Sequence, residues 1–323
     1  MLRRAIHSLE RNHWARETRR VTHPFAWGIE HLGGDPALQD DDARSFLRRY
    51  ADHALQTSDD FFSAPAADGY QFDGETLTYP SAIRSAYPEN NLVTARWFPA
   101  AESRNGRGRE KAAVVVLPQW NAQPDSHVNI CRVLARFGLS ALRLSLPYHD
   151  HRMPAGLQRA DYMVCPNIGL TLQASHQAVL DVRRALRWLE QQGYTRLGIL
   201  GTSIGSSVAF ITLAHEPALR AFVGLHVSTY VADVVRTGLT TAHVWAGLEG
   251  QVSEDELRHY WSPVSPFPYV ARLRGAGKKM LLVSARYDLS FPPRFSRQLW
   301  QALDSHAIPH ELLQLPCGHY TLG

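Results

Sequence analysis

Residues 198–210 read GILGTSIGSSVAF, with Gly or Ser crowded at the centre, apolar residues at both ends and no charge. Four kinds of segment share that composition: a buried packing element, a phosphate cradle, part of a membrane span, or the seat of a nucleophile. A Walker-type cradle needs GxxxxGK followed by Ser or Thr, yet there is no Lys within 60 residues of this loop. A dinucleotide fingerprint needs GxGxxG and an acidic residue closing the next strand. Here Gly198, Gly201 and Gly205 are spaced three and four apart, and the following RAFVGLHVS ends without an acid. The 18 uncharged positions from 197 to 214 touch the lower limit for a membrane helix. Their middle is too polar, and a break near Gly201 divides them into a strand and a helix. What remains is G-x-S-x-G, met by Gly201-Thr202-Ser203-Ile204-Gly205 between a strand and a helix. The serine of such a motif sits on a sharp, strained turn. A side chain two residues before or after it would collide with neighbouring backbone, and the helix start offers free N–H groups to a developing negative charge.

The rest of the chain supplies the setting. Its 323 residues, 45% hydrophobic and 20% charged, suffice for one large α/β domain with an insertion or appendage. From about residue 91 to 228, short apolar runs alternate with helical stretches: NLVTARWFP, AAVVVLP, LSALRLSLP, RLGILG and RAFVGLHVS are the expected strands. That rhythm predicts a doubly wound, mostly parallel sheet covered on both faces. It stops over about 230–273, read as a helical insertion or lid above the strand ends, and resumes with KKMLLVSARYD and HELLQLPCGH. The expected division is thus a helical N-terminal appendage over 1–85 and an α/β domain over 86–323.

The net charge of +4 lies wholly in residues 1–20, which hold six Arg and two Glu; the other 303 residues carry 28 basic and 28 acidic groups. Leu2, Ile6, Leu9 and His13 or Trp14 recur there at helical spacing, so the segment is expected to pack on the body or on a second copy. Weak membrane-surface attachment is the lesser alternative, and nucleic acid the least. Arginines interrupt any secretory apolar run. Cys131, Cys165 and Cys317 form no metal or disulfide spacing, so a reducing, cytoplasmic setting is expected.

On these residues the chain resembles the α/β-hydrolase superfamily over about residues 90–320. The resemblance implies a triad in the chain order nucleophile, acid, histidine. Asp288, ending MLLVSARYD, and His319 in LPCGHY stand where the acid and the base are due after Ser203; Asp233 is the runner-up acid. One oxyanion donor is expected from the backbone N–H of Ile204. The other comes from the loop after AAVVVLP, where Pro118-Gln119-Trp120-Asn121 replaces the family's His-Gly: Trp120 N–H first, Gln119 as alternative, with the Asn121 amide as a possible contributor. His149-Asp150-His151 is read as a loop at the site's mouth in preference to a metal site. Asn121, His149, Tyr230 and Trp245 are the pocket candidates, with Trp261 and Phe267 as further lid aromatics. The implied activity is cleavage of a carboxylic ester through an acyl-Ser203 intermediate, with no cofactor or metal and a small acyl compound as partner. Acyl transfer, peptide cleavage and a non-catalytic binding protein are the alternatives. Family members continue with a helix after the histidine, whereas this chain stops at Gly323. Truncation is expected; the alternative is that the N-terminal appendage covers that place.

Overall fold

The structure is a computed structural model that describes residues 2–101 and 110–322. Nine strands form one sheet among these residues: β1 Gln71–Phe72, β2 Thr76–Pro80, β3 Leu92–Phe98, β4 Lys111–Leu117, β5 Ser140–Leu144, β6 Tyr194–Thr202, β7 Leu219–Leu225, β8 Lys279–Ala285 and β9 Glu311–Leu315. Their spatial order is β1-β2-β3-β5-β4-β6-β7-β8-β9. The first three strands and the β3–β5 pair are antiparallel, and every pairing from β5 to β9 is parallel. The runs picked out as strands all become strands; the central β4, β5 and β6 are apolar enough to be covered on both faces, whereas the edge strand β9 leaves Leu312 and Leu313 exposed.

Between β4 and β5 the chain passes through α4, Val128–Arg136; it then returns through α5, Ile168–Gln191, to β6 on the opposite side of β4. The connections therefore leave β4 and β6 in opposite directions, which opens a crevice at their carboxyl ends. Helix α6, Ile204–His215, starts inside it.

The N-terminal segment differs from its expected form. It carries α1 Leu2–Arg16, α2 Asp40–Gln56 and the short α3 Ser58–Phe61, yet β1 and β2 fall within it and extend the sheet. Nor does it stand apart. Leu47 of α2 and Phe62 are fully buried in the same apolar core as Leu144 and Ile199 of the sheet, and burying one such side chain contributes about 1.5–3 kcal/mol. A strap at Ala26–Trp27 bonds to the start of α5, with Ile168 N–H and Gly169 N–H donating to the carbonyls of Ala26 and Trp27 at 3.0 Å each.

Between β7 and β8 lies a helical insertion of α7 Val231–Thr237, α8 Ala242–Leu248 and α9 Glu254–Tyr260. A capping box between Ser253 and Glu256 fixes the start of α9. Tyr260, Trp261 and Tyr269 are fully buried, and the Trp261 indole donates to Ile168 O at 3.2 Å. Helix α10, Pro293–Ser305, connects β8 to β9. No helix of the described residues is long and apolar enough to cross a membrane.

Candidate active site

Ser203 stands between β6 and α6 with φ 56° and ψ −123°, a strained conformation for a residue bearing a side chain. Its N–H donates to Leu225 O of β7 at 2.8 Å, and its carbonyl accepts from the Ser206 N–H and hydroxyl at 2.9 and 2.6 Å, so both sides of the turn are tied. The flanking glycines are required by space. A Cβ on Gly201 would lie 2.2 Å from Gly205 O, and one on Gly205 would lie 2.5 Å from Pro118 O. Gly198 is different: a Cβ there would meet nothing nearer than 3.6 Å.

His319 Nδ1–H donates to Asp288 Oδ2 at 2.9 Å. The other carboxylate oxygen accepts from the Ser290 and Phe291 N–H groups, both at 2.7 Å. Burial alone would push the Asp288 carboxyl up; the charge of His319 and the two imidazoles beside it hold it well below its ordinary range. Burial would likewise push His319 down. The charge and hydrogen bond of Asp288, with the charge of Glu10, outweigh that and hold the imidazole above its ordinary 6.5.

A second imidazole shares this carboxylate. His226, the first residue after β7, has φ 61° and is almost fully buried. Its Nδ1 is 2.8 Å from Asp288 Oδ2, although neither ring nitrogen has the alignment of a hydrogen bond. Burial first, then the charge of His319, keeps its pKa below the ordinary value, so His226 is a neutral neighbour at neutral pH. Donor atoms of His226, Asp288 and His319 lie within 4.8 Å of one another, close enough to hold a metal ion. Hydrogen bonds already engage both Asp288 oxygens and His319 Nδ1, which leaves His319 Nε2 and the two His226 nitrogens as the unused donors of this group.

The loop after β4 faces Ser203 across the crevice. Asn121, at φ 59°, is tied into the loop by two bonds: its N–H donates to His149 Nε2 at 3.0 Å and its Oδ1 accepts from Ala160 N–H at 2.8 Å. The Trp120 indole donates to Ala160 O at 2.8 Å, and its ring stacks on His243 of α8. Among the described residues the backbone N–H groups of Gln119 and Trp120 have no hydrogen-bond acceptor. Both residues line the crevice.

These groups surround a cavity of about 760 Å³. Ser203, Ile204, His226 and His319 are on its wall with Gln119, Trp120 and Asn121; Ile130, Val231, Val235 and Phe291 make it largely apolar, and His13, Glu17 and Arg20 close it on the N-terminal side.

Three of the four pocket candidates are placed differently from their sequence reading. His149 does not line the cavity. It is buried beneath the loop, donating from Nδ1 to Pro147 O at 2.8 Å while accepting from Asn121, and burial pushes its pKa down to about 4. Tyr230 lines a separate cavity of about 560 Å³ with Arg258 and Phe267, and Trp245 packs on the core and lines neither. The lid aromatics Tyr230 and Phe267 face each other, ring centres 5.2 Å apart. The runner-up acid Asp233 is held by Arg258 at 2.8 and 2.9 Å, away from His319. Asp150 pairs with Arg143 under the sheet end, and His151 is exposed, so the His149-Asp150-His151 run disperses into three environments.

Sequence reasoning passed over His226, His127 and Glu10. His127 Nε2 shares a 2.8 Å hydrogen bond with the Thr202 hydroxyl, and burial pushes its pKa down to about 4. A histidine at the carboxyl end of β7, the strand beside the one that leads into Ser203, was the available signal for His226. The expected apolar stripe of α1 was also only partly right: Ile6 is buried, but Leu2 and Leu9 are 54% and 48% exposed, and the other buried residue is Glu10.

A mostly parallel sheet with a strained serine at the turn between β6 and α6, and with Asp288 and His319 in the loops after β8 and β9, decides the architecture. The chain has the α/β-hydrolase fold. Residues 170–319, a little under half of it, match the model of the prolyl oligopeptidase family. Solved structures agree on the fold. The puromycin-hydrolysing peptidase of Mycobacterium tuberculosis is 18% identical, with a TM-score of 0.57 over 75% of this chain and 36% of that one. The acylaminoacyl peptidase of Pyrococcus horikoshii is 11% identical, with a TM-score of 0.55 over 78% and 45%. The chain thus spans about a third to a half of the length of these peptidases. The acetyl xylan esterase of Paenibacillus sp. R4 is 14% identical, with a TM-score of 0.57 over 90% and 93%.

Proposed function

We propose that the protein is a serine hydrolase that cleaves a carboxylic ester or related acyl compound through an acyl-enzyme on Ser203. The observation that carries this is the Asp288–His319 hydrogen bond on the wall of the cavity where Ser203 sits at φ 56°. His319 takes the Ser203 hydroxyl proton as Oγ attacks the substrate carbonyl. The negative charge that forms on the carbonyl oxygen is accepted by the N–H of Ile204 and of Trp120, with Gln119 as the alternative second donor. The intermediate collapses as His319 returns the proton to the leaving oxygen, and water then repeats the sequence on the acyl-serine. Asp288 holds the imidazole in the tautomer that presents Nε2 and stabilises its charged form.

An ester is favoured over a peptide by the mostly apolar wall, and the likeness to an acetyl xylan esterase over 90% of this chain supports the same reading. Peptide or amide cleavage is the second reading, favoured by the match to the prolyl oligopeptidase family. Two of the three free cysteines are buried, in keeping with a reducing compartment.

The test compares wild type with Ser203→Ala on p-nitrophenyl acetate and butyrate, on an aminoacyl p-nitroanilide, and in labelling by a fluorophosphonate. Ester turnover and labelling that both vanish in the variant support the reading. Intact turnover in Ser203→Ala, or a wild type inert to the probe, overturns it. Anilide turnover exceeding that of the esters transfers the assignment to peptidase chemistry.

A further inference from the structure

The loop that carries His319 is held at two places. Its side chain is bonded to Asp288; its backbone is held by α1, more than 300 residues away in sequence. Glu10 is fully buried, with Oε2 accepting from the His319 N–H at 2.8 Å and Oε1 from the Tyr320 N–H at 2.9 Å. Two consecutive amides on the two oxygens of one side chain is the geometry of a carboxylate acting as a cap; burial raises the Glu10 pKa above its ordinary value, and these two amides and the charge of His319 act against that by favouring the ionised form. Gly318 makes room for it: a Cβ there would lie 2.4 Å from Glu10 Cδ. One turn further along the same face of α1, the His13 ring stacks on Tyr320 with ring centres 5.6 Å apart and planes 17° apart. Without Glu10, two part-buried amides of the loop would lose their acceptor.

From this we infer that Glu10 is a positioning residue for His319, and that the N-terminal helix is a working part of the catalytic unit. The inference rests on the reading of Ser203, Asp288 and His319 as a triad. Glu10 does not line the cavity, so it acts on the base and not on the substrate. It acts in two ways. Its hydrogen bonds fix where the imidazole sits, and its negative charge adds to that of Asp288 in favouring the protonated imidazole. The groups facing Glu10 are His319, Tyr320 and Cys317 of the same loop, with Asp288 behind them; on α1 its neighbours within one turn are His7, Arg11 and His13, and Arg20 faces Tyr320.

Removing the charge lowers the His319 pKa, so the pH midpoint above which the base is neutral moves down. Displacing the loop lowers the rate at every pH.

The experiment measures the rate of fluorophosphonate labelling from pH 5 to 9 for wild type, Glu10→Gln and Glu10→Asp, with kcat and KM on p-nitrophenyl acetate. In E10Q the rate falls on the order of tenfold or more, through kcat and not KM, and the midpoint moves to lower pH. E10D, which returns the charge on a stem too short to reach both amides, recovers the midpoint but not the rate. Wild-type rate and midpoint in E10Q overturn the proposal. If circular dichroism shows that a variant is unfolded, amide hydrogen exchange of the C-terminal peptide in the unaltered protein decides. Protected His319 and Tyr320 amides support the cap, and exchange at the unprotected rate overturns it. Ser203→Ala separates the two readings: labelling that persists there removes the triad itself, whereas labelling lost there but unchanged in E10Q removes only the role of Glu10.

Discussion

The substitution Gly205→Ala tests how the site is built, because its consequence can be worked from distances. A Cβ at 205 falls 2.5 Å from Pro118 O, 2.6 Å from Leu117 O and 2.9 Å from Leu117 C, against an ordinary contact of 3.4 Å or more. All three atoms are backbone at the exit of β4, so no flexible side chain can swing aside. Relief requires α6 and the β4 exit to separate by about 0.9 Å, and overpacking of this kind costs about 1–3 kcal/mol. The same movement draws Ile204 away from Gln119 and Trp120, the proposed donors on either side of the developing oxyanion. Misplacement by about 1 Å in such a pair costs on the order of a hundredfold in kcat. The assay is p-nitrophenyl acetate hydrolysis beside a thermal melt. Gly198→Ala is the internal comparison, since its Cβ would stay in ordinary contact at 3.6 Å and its kcat is expected to remain near that of wild type. A Gly205→Ala enzyme with kcat within twofold of wild type and an unmoved melting temperature would refute the reasoning, and so would equal losses at 198 and 205.

Two further outcomes are expected. His149→Leu leaves the Asn121 N–H without its acceptor beneath the proposed oxyanion loop; a thermal melt should show about 1–3 kcal/mol of lost stability, and steady-state kinetics a fall in kcat larger than any change in KM. His319 titrates above its ordinary 6.5 and acts as a base only when neutral. kcat/KM should therefore be full above that raised pKa and fall as pH drops through it, with a midpoint above 6.5; a profile still flat at pH 6 would contradict the assignment.

Much of the architecture could be read from the chain because it depends on local pattern. Short apolar runs such as AAVVVLP and LGILG, regularly spaced between longer helical stretches, read as strands covered on both faces and joined by parallel crossovers. Gly201 and Gly205 could be matched to clearance around Ser203 because the turn itself demands it. Chain order then pointed to Asp288 and His319. The two-residue edge strand β1 carries almost no periodic signal, whereas β2 does alternate, burying Leu77 and Tyr79 but not its threonines, but over only five residues inside a segment that otherwise reads as polar and helical.

The sequence by itself determined the seven strands from β3 to β9 and the residue types that line up at their carboxyl ends. Only the tertiary structure decided which partners those residues take. His149, placed at the mouth by its position after a strand, turns inward because Asn121 N–H and Pro147 O offer its two nitrogens partners in the core. Asp233 is taken by Arg258, His226 comes to rest against Asp288, and Glu10, a charge on what looked like an apolar face, is buried on the backbone of His319. The physical reason is one of range. Burial patterns repeat every two or four residues and are written locally, whereas a hydrogen bond between residue 10 and residue 319 depends on where the whole sheet brings them.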